Sequence, residues 1–185
     1  MPWWLWVALA VVAALAAVTL LGGFNDVPVE KLPVAELGST QVGNELTTTI
    51  TGVHLSTSAP VTGYDLDEGK VDVVVEATLT NTTDRPNYFA GNAVRVFLDG
   101  VIDPDRDEPD SVIELRSGGA LPFLQPGLPT KVSYIWTVDA ADVAAGDQIV
   151  AGVFQRHPVA DDPLFSDAQS APEPIVRIIT TIEDH

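Results

Sequence analysis

No cysteine occurs anywhere in the 185 residues. That absence excludes disulfides, cysteine-ligated zinc or iron–sulfur centres, a thiol nucleophile and a lipid carried on an N-terminal cysteine. A domain outside the cytoplasm that does without disulfides fits a bacterium better than an animal, whose secreted domains commonly rely on them. Basic residues are nearly as scarce, with 9 Lys and Arg against 26 Asp and Glu, for a net charge of −17. Nucleic acid and anionic lipid headgroups both require clustered Lys or Arg, so neither is an expected partner of so acidic a surface. The only methionine is Met1 and the three histidines are far apart, which leaves no copper site of His and Met ligands. Also missing are a G-x-S-x-G elbow and a phosphate-binding loop, since Ser117-Gly118-Gly119 lacks the lysine and the strand-to-helix setting.

Charge is absent from the first 25 residues altogether. Between Trp3 and Leu21 the only polar residue is Thr19, and Gly22-Gly23 closes the run. At about 1.5 Å of rise per residue, such a helix approaches the ~30 Å hydrocarbon thickness of a bilayer. Trp3, Trp4 and Trp6 crowd its start, where indole rings favour the headgroup interface. The expectation is a transmembrane signal-anchor over residues 1–24. A cleaved signal peptide is the competing reading, because Ala14-Leu15-Ala16 has a small-x-small pattern; the long apolar run and the lack of a preceding Lys or Arg argue against it. Residues 25–44, with Pro28 and Pro33 among isolated apolar positions, read as an extended stalk.

From Glu45 onward the signals are those of strands. In Lys70–Thr80, Val71, Val73, Val75, Ala77 and Leu79 alternate with Asp72, Glu76, Thr78 and Thr80, the period of a half-buried strand with Val74 intruding on the outer face. Leu46–Leu55, Val94–Leu98, Ser111–Leu115, Thr130–Val138, Gln148–Gln155 and Ile175–Ile182 read similarly, with Val132, Tyr134, Trp136 and Val138 turned inward. Turn chemistry separates them at residues 81–86, Asp99-Gly100, Gln125-Pro126-Gly127 and Asp161-Asp162-Pro163. A short helical turn over Ala140–Ala145 is expected, capped by Asp139 and closed by Gly146. The predicted fold is mostly β: an antiparallel immunoglobulin-like sandwich of about seven strands over residues 45–185, preceded by one N-terminal transmembrane helix.

The valine-rich strand that runs through Asn81-Thr82-Thr83-Asp84-Arg85-Pro86, with the later Leu124-Gln125-Pro126-Gly127-Leu128-Pro129-Thr130 turn, resembles a known family. These are the telokin-like, immunoglobulin-fold extracytoplasmic domains of unknown function, found in bacterial lipoproteins and membrane-anchored proteins. The resemblance implies an extracytoplasmic sandwich and supplies no catalytic residues. This chain departs from it in lacking a lipobox cysteine, so the helix itself would be the anchor.

Candidate chemistry is confined to one acidic run. Asp103, Asp105, Asp107 and Glu114 occupy positions 1, 3, 5 and 12 of a calcium loop, where alternate carboxylates and a final Glu converge on a hard cation. Glu108 stands where the sharp turn needs Gly, and Pro104 and Pro109 stiffen the segment, so any calcium site there is a weak one. The competing reading is a solvated loop whose charges keep the sheet edge soluble. Tyr88, Phe89, Phe123, Phe154 and Phe165 have two readings as well: a carbohydrate- or protein-binding patch, or the more usual filling of a sandwich core. The expected function is therefore a non-enzymatic binding module of the bacterial envelope. It would be single-pass in the cell membrane with its domain outside the cytoplasm and another envelope or membrane protein as partner. A calcium-stabilised structural domain is one alternative; a paired-carboxylate envelope hydrolase is the least supported.

Overall fold

The structure, a computed structural model, describes residues 32–58, 66–98, 108–120, 122–157 and 170–184. The expected anchor over residues 1–24 lies outside the described residues, and among those described no helix is long and apolar enough to cross a membrane. The compact unit begins at Leu32. Within it the elements run β1 (Val34–Ala35), β2 (Thr40–Val42), β3 (Leu46–Ser56), β4 (Lys70–Asn81), a 3-10 turn (Phe89–Asn92), β5 (Val94–Phe97), β6 (Ser111–Glu114), β7 (Pro129–Asp139), β8 (Gln148–Gln155) and β9 (Glu173–Thr181). They form two sheets, one ordered β1-β9-β8-β5 and the other β2-β3-β4-β7-β6. Among the described strands every pairing is antiparallel except β1 with β9. This is a mostly antiparallel β-sandwich.

The period-two pattern of β4 explains the core directly. Val71, Val73, Val75, Ala77 and Leu79 are buried on one face. They meet Val132, Tyr134 and Trp136 of β7 in register, because Val73 pairs with Trp136, Val75 with Tyr134 and Ala77 with Val132. Ile149, Ala151 and Val153 of β8, with Val176 and Ile178 of β9, supply the facing layer. Tyr134 is fully buried and donates its hydroxyl to the Ala90 carbonyl at 2.6 Å, tying β7 to the 3-10 turn; burial drives its pKa up, so the phenol stays neutral.

Three local expectations are revised. Two short strands, β1 and β2, lie in the segment read as a stalk, which brings the described strands to nine. Their signal was faint because two- and three-residue strands carry too little alternation to register. Residues 140–147 form turns rather than a helical turn. Asp142 N–H donates to Asp139 O at 2.9 Å, Asp147 Oδ2 accepts Ala144 N–H at 2.7 Å, and Gly146 has φ of 93°. Six residues cannot repay the cost of helix nucleation when these tighter bonds compete. Val74, on the outer face, is not solvated but buried with Ile113 and Ile135 in a second small cluster.

Beside that cluster sits Asp72, buried at the surface end of β4, with Thr137 Oγ1 donating to it at 2.7 Å. Desolvation raises its pKa; the Thr137 bond opposes this, and the nearby Asp110 carboxylate adds to the rise. A raised acid favours the unfolded state as pH climbs from the ordinary carboxylate value, about 3.9, through the raised one, and by a constant amount above it. Asp72→Asn keeps the acceptor for Thr137 and removes the charge. The variant should melt a few degrees higher at neutral pH, with the gain vanishing as pH falls below about 3.9. Thermal melts across pH check this, and a gain that persists in acid would rule out ionisation as its cause.

Candidate functional site

One end of the sandwich gathers the start of β3, the end of β4, the start of β7, the end of β8 and the start of β9, as the pairings Leu46–Asn81, Thr80–Pro129 and Gln155–Glu173 and the Arg156–Glu45 ion pair show. At its centre is Asn81, the asparagine that follows the valine-rich strand. Its amide donates to Arg85 O at 2.6 Å and Leu124 O at 3.0 Å. Its Oδ1 accepts Thr83 N–H at 3.0 Å and Thr83 Oγ1 at 2.8 Å, and its carbonyl accepts Gly127 N–H at 2.8 Å. One buried side chain thus pins the polar turn at residues 81–86 to the Pro-Gly turn at 125–127. The Asn-Thr pattern noted in the sequence has a structural cause: an amide offers two donors and an acceptor together, and this junction uses all three.

Beyond the pin, Asn87 and Leu124 form an antiparallel bridge through 3.0 and 2.9 Å bonds. The Asn87 side chain accepts Phe89 N–H at 2.6 Å and donates to Glu45 Oε2 at 3.0 Å. Arg156 Nη2 reaches the same oxygen at 3.1 Å, and its guanidinium lies over the Phe89 ring, 4.3 Å from the centroid. A cavity of about 350 Å³ opens here between Glu45, Asp84, Arg85, Asn87, Tyr88 and Arg156. On its rim, Tyr88 packs against Phe123 in a tilted contact, with a 4.6 Å centroid separation and a 58° interplanar angle, and the two residues are 76% and 40% exposed. The aromatic set named in the sequence is therefore split. Phe89 and Phe154 fill the interior, whereas Tyr88 and Phe123 come together on the surface. Phe165 lies outside the described residues.

His157 sits nearby in a closed polar arrangement. Asn44 Nδ2 is 2.9 Å from its Nδ1, while Gln155 Nε2 and Glu173 Oε2 are 3.2 and 3.5 Å from its Nε2. His54 is elsewhere, in β3 beside Glu183, so the described histidines are not joined. Among the described residues no group of three or more metal-ligating side chains converges.

Of the proposed calcium ligands, Asp103, Asp105 and Asp107 lie outside the described residues. Glu114 ends β6, where its Oε2 accepts Ser117 Oγ at 2.6 Å within a tight turn closed by Gly118 N–H to Glu114 O at 2.8 Å. Glu108, the first described acid of the run, pairs instead with the buried Arg95 at 3.1 Å, at the other end of β6. Sequence reasoning missed the Glu45–Asn87–Arg156 cluster. Its members are up to 111 residues apart and carry no motif. The available signal was the placement of Glu45 and Arg156 at strand ends that one topology brings together.

No protein-family model matches the chain, and neither does any curated protein. Among solved structures it is similar to an uncharacterized β-sandwich protein from Clostridium difficile 630. The two share 12% sequence identity with a TM-score of 0.53, over 83% of this chain and 95% of the other. At that identity the likeness supports the sandwich fold alone.

Proposed function

We propose that this chain is a non-enzymatic interaction module of the bacterial cell envelope. Its apolar N-terminal segment would hold an immunoglobulin-like sandwich of the telokin-like kind on the outer side of the cytoplasmic membrane. The observation that carries the binding role is the aromatic pair Tyr88–Phe123, held on a rigid bridge beside a polar cleft. Exposed rings fixed beside convergent polar groups are the usual makings of a recognition surface. The uncharged run from Trp3 to Leu21, with every charge placed after it, supports the anchor and the acidic display.

Two measurements on cells test the reading. Protease added to spheroplasts should digest the domain, and protection equal to that of a cytoplasmic control would overturn the topology. A photo-crosslinking residue at Leu128, exposed at the pole, should capture an envelope component that the same residue at Ile179, exposed on β9, does not. Equal capture at both positions would remove the pole as the binding face.

A further inference from the structure

We propose that the pole binds a neutral saccharide, with one sugar ring seated against Tyr88 and Phe123 and its hydroxyls directed into the Glu45–Arg156 cleft. This rests on the reading of the pole as the binding face and names the ligand that face fits.

The rings are pre-positioned. Tyr88 and Phe123 each stand one residue from the Asn87–Leu124 bridge, and their other neighbours Phe89 and Pro122 are buried. Little freedom is left to lose on binding, which is where flexible surfaces forfeit affinity. The apolar C–H face of a pyranose is the natural complement to such a pair, because it needs a hard aromatic wall rather than a deep hydrophobic hole. Next to that wall, the Glu45 carboxylate and the Arg156 guanidinium share one ion pair, and both residues line the cleft. Donors and acceptors side by side match vicinal hydroxyls, each of which both donates and accepts.

The same features disfavour a peptide. The Asn87 and Leu124 backbone groups facing each other are already bonded, so that ladder is closed to an added strand. The cavity offers no wholly apolar pocket to take a side chain, since its lining mixes charged and amide groups with Thr83, Pro86 and Tyr88. The overall charge of −17 opposes anionic polymers, which narrows the class to uncharged sugars.

The test uses the full chain in a polyoxyethylene detergent, because alkyl glycosides would compete. A tetrasaccharide of β-linked N-acetylglucosamine, cellotetraose and a proline-rich decapeptide are each titrated by calorimetry, with saturation-transfer NMR reading which ligand protons touch the protein. At least one saccharide should bind with a dissociation constant near or below about 1 mM, through protons of one ring face. Tyr88→Ala should weaken it about tenfold and Phe123→Ala severalfold, while Tyr88→Trp retains it. Both positions are exposed, so unchanged melting curves will certify folding. Saccharide binding that is indifferent to Tyr88→Ala overturns the proposal. So does failure of both saccharides at tens of millimolar, or Tyr88-dependent binding of the peptide alone. Those results leave the Leu128 crosslinking untouched, so the ligand class and the binding face fail separately.

Discussion

Asn81→Ala should cost the sandwich about 3 kcal/mol. The substitution removes two donors and one doubly used acceptor at a fully buried position. Thr83 N–H then loses its partner, and the carbonyls of Arg85 and Leu124 each lose one of two bonds, keeping those to Thr83 Oγ1 and Asn87 N–H. A buried group left unsatisfied costs about 1–3 kcal/mol, and the bond lost at each carbonyl keeps the sum near the top of that scale. For a unit of this size the midpoint should fall by roughly 6–12 °C. Asn81→Asp should be no better, since it retains the shape but loses both donors and buries a charge. A urea titration reads the loss directly. A change under about 0.5 kcal/mol, within the range of ordinary surface substitutions, would show that the two turns hold each other without the amide. Because Tyr88 and Phe123 hang from the segments that Asn81 joins, the same variant should also weaken any ligand that needs both rings.

Gly152→Val should be the most damaging change on the four-stranded sheet, at about 3 kcal/mol. A Cβ on Gly152 would lie 2.8 Å from Phe154 Cε2 and 3.2 Å from Phe97 Cε2. Neither ring can retreat, since both are buried and Arg95 closes over Phe154 with its guanidinium 5.3 Å from the centroid. The glycine exists because two rings need the space above the strand, and a branched side chain would displace them both. Gly52 is the internal control. It too lies in a strand, at the irregularity of β3, yet an added Cβ meets nothing within 4 Å. Gly52→Ala should leave stability unchanged or raise it slightly, by reducing the freedom of the unfolded chain. Thermal melts of the pair decide the matter, and equal effects would mean that backbone propensity, not ring packing, governs Gly152.

The architecture was legible because strand periodicity is written residue by residue. Gln148–Gln155 runs over the same residues as β8, and Lys70–Thr80 falls one residue short of β4 at Asn81. Burial follows the same rhythm, so the alternation of Val71, Val73 and Val75 was enough to place the core. Two-residue pairings such as Val34–Ala35 leave no such trace, and Val74 shows the converse limit. Its burial depends on Ile113 and Ile135 arriving from neighbouring strands, which no window along one strand can see. The pole was less readable still. The Asn-Thr turn was noticeable as a pattern, but its purpose depends on Leu124 and Gly127, over forty residues later. The aromatic positions could be named but not sorted: Tyr88 and Phe89 are adjacent in sequence, and only the 3-10 turn decides which faces water. Glu45 and Arg156 were invisible as a pair, since ion pairs between distant strand ends follow topology and not local pattern.

The parallel pairing of β1 with β9 has a mechanical meaning. Val34 and Ala35 lie beside Arg177 and Ile178, and Arg177 N–H is bonded to Pro33 O at 3.0 Å. The first and last strands run in the same direction, so the chain enters the sandwich at one pole and leaves it at the other. Tension applied along the chain therefore slides β1 against β9 and strains their bonds together, where antiparallel neighbours would be unzipped one bond at a time. The seam is short, and it is the first part of the domain to feel a pull.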